Sequence, residues 1–422
     1  MGQEATQIHI DRIAVEGKYT IRCAVRYGSK VSRFFSGESF FAEYDKDISE
    51  VPEGIMVIPL LANLCPVAWV AGADVFVDRL DKSFYESLLK AKRSFGALYP
   101  RLKFGGTLHV KHLTEDTPSI KSSRSAAFFS GGVDSMGTFL RRKEENPYLV
   151  TVWGADVRLD EPAMWQQVRQ YNETFGLSHG IESLFIKSNL RTILNGEEIS
   201  FAFGRFTHGW WPGIQHGIGL VGLVAPLSHA LGIQKLYVPS ALPPKMAYSI
   251  PDGSNTLINN HIRWKGMEVQ LEGEELSRQD KIALIAEYIR NANREVSIRV
   301  CWINKDYGNC GQCEKCLRTI TALLAEGVNP RHVGFPIEQA TYELIRNKLP
   351  GWLPFHELKI EYWDEIRVRS IKNDSLIPSE ARPFFDWFQS ENIPSYANRR
   401  SLKKALIDLI PHPLFLYIKK RL

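Results

Sequence analysis

The chain has no leader-like start, because MGQEATQIHIDRIAVEG lacks the basic-then-apolar order of a secretory signal. It also lacks any uninterrupted apolar run of the roughly 18 residues that a membrane-spanning helix needs. Both shortages predict a cytoplasmic protein without a transmembrane segment. Internal repeats and low-complexity stretches are missing too. Cysteine is scarce, six in 422 residues, with none between positions 66 and 300. In a cytoplasmic chain this excludes a disulfide scaffold. Charge of one sign is not in general excess, with 52 Lys and Arg against 47 Asp and Glu. The surplus sits in 396–422, where Arg399, Arg400, Lys403, Lys404, Lys419, Lys420 and Arg421 meet one acid, Asp408. The rest is near neutral, which removes the basic footprint of nucleic-acid binders and argues against nucleic acid as a partner.

What is present fits a multidomain enzyme. Hydrophobic residues make up 44% and charged residues 23%, enough to build a core without staples. The length predicts about two to three domains. Residues 1–118 read as β-rich, with alternation in TQIHIDRIAV, YTIRCAVRY, VSRFF and SFFAEYD, and one helix over 83–99. Cys23 and Cys65 fall in apolar, strand-like text and read as small buried hydrophobes. From 119 to 335 strands alternate with helices. SAAFFS, PYLVTVW, IESLFIK and IQKLYVPS are the strands, EPAMWQQVRQYNETFG is a helix, and 212–232 is a buried, glycine-rich helix. That alternation predicts an α/β domain with a doubly wound parallel sheet, whose ligands bind beyond the strand ends. Residues 336–422 are aromatic-rich and mostly helical, ending in an amphipathic stretch, SLKKALIDLI, that could dock on its own domain, a partner protein or an anionic surface.

Two motifs carry chemistry. Ser130-Gly131-Gly132-Val133-Asp134-Ser135 lies at a strand-to-helix junction. Paired glycines let the backbone turn sharply and approach a ligand, and the following helix presents its N-terminus to an anion. Ser130 and Ser135 add hydroxyl donors. Asp134 would repel bare phosphate, so it implies a bridging cation, best Mg²⁺. The bland alternative is a capped Gly-Gly turn. The second motif is Cys301-x8-Cys310-x2-Cys313-x2-Cys316, behind a strand-like VSIRV. Four thiolates at this spacing suit a closed, structural Zn²⁺ site. An iron–sulfur cluster is the competing occupant.

The hexapeptide resembles the PP-loop of the N-type ATP pyrophosphatases. With the CGxCxxCxR run Cys310–Arg318, the central region resembles the 7-cyano-7-deazaguanine synthase (QueC) family. That resemblance implies an adenine nucleotide alpha hydrolase-like PP-loop domain. Residues 130–135 would bind ATP with Mg²⁺, Ser130, Asp134 and Ser135 would serve catalysis, and the four cysteines would hold Zn²⁺. It further implies AMP transfer to a carboxylate or amide, release of pyrophosphate, and attack by a nitrogen nucleophile. No Walker GxxxxGK[ST] loop of the γ-phosphate-transferring kind is present. The chain departs from the family in its long N-terminal extension. Residues 247–264 read AYSIPDGSNTLINNHIRW where a DYSGYPDCR-like stretch is expected, and Trp211–Gln215 replaces P-x-R-N. The chain is therefore similar to the long QueC-like proteins of antiviral defence, with a deazapurine, another small acid or a protein as acceptor. Homo-oligomerisation is compatible with this reading. A PP-loop enzyme of tRNA modification and a non-catalytic binding module are the alternatives.

Weaker candidates are Lys187, Arg191, Lys245, Arg263 and Lys265 for acidic substrate groups. Arg318 faces either the thiolates or substrate. His208, His216 and His229 flank or lie on the glycine-rich helix, and Tyr248 and Trp264 could stack on a planar base.

Overall fold

The computed structural model describes residues 4–115, 124–207, 209–292, 296–301, 303–304, 308–354 and 356–398. Its strands are β1 (Gln7–Glu16), β2 (Thr20–Tyr27), β3 (Ser39–Tyr44), β4 (Asp74–Asp81), β5 (Leu108–Thr114), β6 (Arg124–Phe128), β7 (Tyr148–Trp153), β8 (Ser183–Ser188), β9 (Ile233–Pro239), β10 (Arg263–Trp264) and β11 (Met267–Glu272). They form one sheet in the order β10-β11-β9-β6-β7-β8-β3-β2-β1-β4-β5. The centre, β9-β6-β7-β8, is parallel. On its flank β3 pairs antiparallel with β8, Ala42 opposite Ser188 and Tyr44 opposite Ile186. Strands from 1–118 and strands from 119–335 therefore share a single hydrogen-bonded sheet. The α/β class with a parallel core is the one the alternation predicts.

The strand sequences follow from where their faces go. In β2, Ile21, Cys23 and Val25 point into the core while Arg22, Ala24 and Arg26 are exposed. In β7, Tyr148 through Val152 are all buried, the pattern of a parallel strand covered on both faces.

Two local expectations are corrected. VSRFF is not a strand; Ser32–Phe34 forms a 3-10 turn that buries Phe34. Cys65 lies not in a strand but in the helix Ile58–Ala71, buried from Ile58 to Trp69. A segment buried all round shows no periodicity that could distinguish the two. The helical signals were Pro59 in the first turn and Gly72 at the C-cap, with φ 66°.

The glycine-rich stretch is a helix in consecutive segments, among them His216–Leu223 and Ala225–Leu231. Trp211–Leu231 is long and apolar enough to cross a membrane by length and composition, yet 72% of its most apolar window is buried inside the protein. It packs as a core helix. A Cβ on Gly222 would lie 2.3 Å from Ala62 Cβ, so only glycine lets the two helices come this close.

The chain divides into two compact units. The first comprises Met1–Phe128, Glu144–Val238 and Tyr248–Glu272 and contains the sheet. The second comprises Phe129–Lys143, Pro239–Ala247 and Gly273–Leu422. Its helices include Val133–Arg142, Arg278–Ala292, Glu314–Leu324, Gln339–Trp352, Glu357–Lys372 and Arg382–Ser390. Its aromatic core centres on Trp363, fully buried with its ring edge-on to Phe388 at 6.0 Å. The helical expectation for 336–422 holds through residue 398. The basic amphipathic segment 401–410, the tail after it, His208 and Phe355 lie outside the described residues.

Candidate functional site

The chain leaves β6 at Phe128 and turns through Ser130, Gly131 and Gly132 into the helix Val133–Arg142. Gly131 stands at φ 73°, in the left-handed region, where a side chain costs about 1–2 kcal/mol. Gly132 is the N-cap, and no side chain caps the helix. The N–H groups of such a first turn lack intrahelical acceptors and favour an anion. Ser135 Oγ donates to Gly132 O at 3.1 Å and lies 3.3 Å from both Ser130 N and Ser130 Oγ. These bonds hold the loop closed on itself, with Ser130 exposed at its tip.

Asp134 opens the helix and meets a group of cations. Arg278 grips it with Nη2 at 2.5 Å from Oδ2 and Nε at 3.3 Å from Oδ1. Lys281, three residues on and 2% exposed, places Nζ 3.6 Å from Oδ1 and donates to Ser240 O at 2.5 Å. Burial opposes the charge on Asp134, but Arg278 and Lys281 outweigh it and hold the carboxyl below its ordinary range. Burial pulls Lys281 down, against the pull of Asp134. A third cation stands behind them. Arg318 Cζ lies 4.3 Å and Arg278 Cζ 4.7 Å from the centre of the Tyr362 ring, whose hydroxyl donates to Ala241 O at 2.7 Å. The Arg318 side chain is 7% exposed and its Nε pairs with Glu314 at 3.2 Å, yet neither Nε nor Nη1 makes a hydrogen bond. Positive charge therefore exceeds what Asp134 and Glu314 neutralise. Because Asp134 is met by protein cations, a need for Mg²⁺ does not follow from its charge alone.

The four thiols of the second motif converge as expected. Cys301, Cys310, Cys313 and Cys316 bring their sulfurs within 4.8 Å of one another. A tetrahedral Zn²⁺ with bonds near 2.3 Å needs sulfurs about 3.8 Å apart, so a small contraction suffices. Cys301 and Cys316 are buried. Cys313 is pulled down to about 5, first by its hydrogen bond from Cys316, while Cys316 is pushed up. The cluster could hold a metal ion, and the donor set suits zinc. The strand-like VSIRV is not a strand; residues 296–300 form neither helix nor strand. Asn309, beside Cys310, accepts from Val300 N at 3.0 Å and donates to Ile298 O at 2.6 Å and Gly334 O at 3.0 Å.

The remaining candidates separate. Arg318 faces Tyr362 and Arg278. Lys245, in the same unit as the loop, pairs with Glu361 at 3.1 Å. Lys187, Arg191, Arg263 and Lys265 belong to the first unit. There Arg191 stacks on Trp211 at 4.6 Å and Lys187 on Trp153 at 4.9 Å. His216 Nδ1 lies 3.0 Å from Ser254 Oγ, and His229 sits near the end of the Ala225–Leu231 segment. Trp264 is a core residue, 1% exposed and donating to Ser228 Oγ at 2.7 Å, whereas Tyr248 is 63% exposed. Burial removes Trp264 from a stacking role, while Tyr248 keeps an exposed ring. Sequence reasoning missed Arg278, Lys281 and Tyr362. Their one signal was an Arg and a Lys three apart at a helix start, which many surface helices share.

Glu365 borders an open cavity of about 220 Å³ together with Lys245, Glu361 and Asp364. Burial, then repulsion from Glu361 and Asp280, pushes its carboxyl up to about 7. A carboxyl that holds its proton more tightly when folded lowers stability as pH rises from the ordinary Glu value, about 4.3, to its folded value. Glu365→Gln is expected to flatten the fall in melting temperature between pH 5 and 7. Identical slopes in the two proteins would show that Glu365 does not titrate there.

Compared with known proteins, the chain matches no protein-family model, no curated protein and no solved structure.

Proposed function

We propose that this protein is an ATP-dependent, adenylating enzyme of the PP-loop type, similar in chemistry to the QueC family. The observation that carries the reading is the uncapped N-terminus of Val133–Arg142, entered through the left-handed Gly131 and surrounded by Arg278, Lys281 and Arg318. Such a site has donors and charge for the two phosphate groups of a leaving pyrophosphate. An acceptor carboxylate or amide oxygen would attack the α-phosphorus of ATP as the α–β bond breaks and pyrophosphate departs. On an activated carboxylate a nitrogen nucleophile would attack the carbon and expel AMP to give an amide, whereas an activated amide would lose AMP and its nitrogen's proton to give a nitrile. Ser130 and Ser135 would orient phosphate oxygens. Arg278 and Lys281 would offset the charge that develops on the leaving group, with ATP arriving as its Mg²⁺ complex. The four-cysteine cluster would hold Zn²⁺ as a structural centre. A role in antiviral defence and a cytoplasmic location belong to the same proposal.

The test is pyrophosphate release from Mg²⁺-ATP with candidate acids, 7-carboxy-7-deazaguanine first. AMP and a new amide or nitrile are the expected products. Ser130→Ala is expected to lower the rate about tenfold or more, as loss of one developing-charge donor does, while leaving the melting temperature unchanged. ATP consumption that yields ADP instead of AMP would overturn the reading.

A further inference from the structure

We propose that the four-cysteine centre, when it holds its metal, sets the anion affinity of the 130–135 loop. The inference rests on the reading of that loop as a phosphate site. Two independent arms lead from the thiolates to the loop, and both lie in the second unit.

The first arm is backbone. Cys301 ends the run 296–301, and two residues before it Arg299 N donates to Gly131 O at 2.9 Å. That bond falls on the one loop residue held in the left-handed region. Ile298 N donates to Val333 O at 3.1 Å. Asn309 joins this run to the knuckle through its bonds to Val300 N and Ile298 O. Whatever fixes Cys301 and Cys310 thereby fixes the carbonyl side of the loop.

The second arm is a chain of side chains. Cys313 is the N-cap of the helix Glu314–Leu324, and Cys316 lies in its first turn. At about 100° per residue, Arg318 projects roughly 200° around the helix from Cys316, away from the thiolates. It packs on Tyr362, which also carries Arg278, and Arg278 holds Asp134. Arg318 is nine-tenths buried with Nε and Nη1 unbonded, a costly arrangement that an incoming anion would relieve. Its position depends on the helix, and the first turn of that helix depends on two metal ligands.

Both arms thus share one anchor. With metal, the four sulfurs converge on a point. Without it they either repel or take up protons, and Cys301 and Cys316 are free to separate. The loop carbonyl and the Arg318 guanidinium then lose their common reference.

The experiment is calorimetric titration of the full chain with inorganic pyrophosphate, first loaded with one Zn²⁺ and then after chelation, with folding followed by circular dichroism. Chelation is expected to weaken pyrophosphate binding about tenfold, a usual size for coupled sites. Arg318→Met is expected to retain its Zn²⁺ yet bind pyrophosphate about tenfold more weakly, with Arg318→Lys recovering part of the loss. Chelation should then cost the Arg318→Met protein less than the parent, because one arm is already cut. Equal affinity before and after chelation overturns the coupling and leaves the phosphate-site reading standing. If chelation unfolds the chain, the loaded Arg318 variants decide, and unchanged affinity in Arg318→Met overturns the proposal. Failure of the loaded parent to bind pyrophosphate overturns the phosphate-site reading itself, and this inference with it.

Discussion

Asp134→Ala is expected to destabilise the second unit by about 3 kcal/mol, read from the urea midpoint. The magnitude lies at the lower end of the cost of breaking a buried ion pair. Asp134 and Arg278 retain 21% and 22% side-chain exposure, so solvent recovers part of the loss. The cost arises because Asp134 is the acid that Arg278 grips directly and Lys281 faces at 3.6 Å. Lys281 has a side chain 2% exposed and cannot turn to water. Its carbonyl partner at Ser240 satisfies a hydrogen bond but supplies no net charge. Millimolar pyrophosphate should restore more stability to the variant than to the parent, since an anion supplies the missing charge. The pH dependence has a definite sign. The Asp134 carboxyl lies below its unfolded value near 3.9, so its contribution is complete above that pH and is lost as pH falls through the depressed folded value. The variant should lack that component of acid unfolding. A variant as stable as the parent would show that the cations do not depend on Asp134.

Loss of the metal is the second large effect. Cys316→Ser, or chelation, is expected to cost about 4 kcal/mol or more, because loss of a metal centre is among the few mechanisms that reach this size. Among the described residues, 296–301 and 308–313 contain no helix and no strand. Gly308 and Gly311 raise the entropy of the free chain. Metal–sulfur bonds would therefore supply order to these irregular segments. The purified protein should be colourless and carry one Zn²⁺ per chain. Visible absorption and iron content would establish an iron–sulfur cluster instead. A melting temperature unmoved by chelation would show that the knuckle is held by its packing alone.

The legibility of the two motifs follows from their compactness. Six consecutive residues make the loop, and three thiolates fall within seven positions, so the chemistry is written locally. The strands of the parallel centre were legible for a related reason, since short apolar runs alternate there with helical text. Legibility failed where burial erased periodicity, as in Ile58–Ala71, and where a run was too short to declare itself, as in Ser32–Phe34. The joining of β3 to β8 was equally hidden, because strand partners distant in sequence leave no local signature.

The sequence by itself determined the α/β class, the strand-to-helix loop and the four-thiolate cluster, because backbone freedom at glycine and ligand spacing at cysteine act over a few residues. Only the tertiary structure decided that Asp134 is held by Arg278 and Lys281, that Arg318 turns from the thiolates toward Tyr362, and that Arg299 bonds to the loop. Those contacts join segments from 44 to 168 residues apart. Their partners are selected by the packing of whole helices, and no spacing in the chain records that choice.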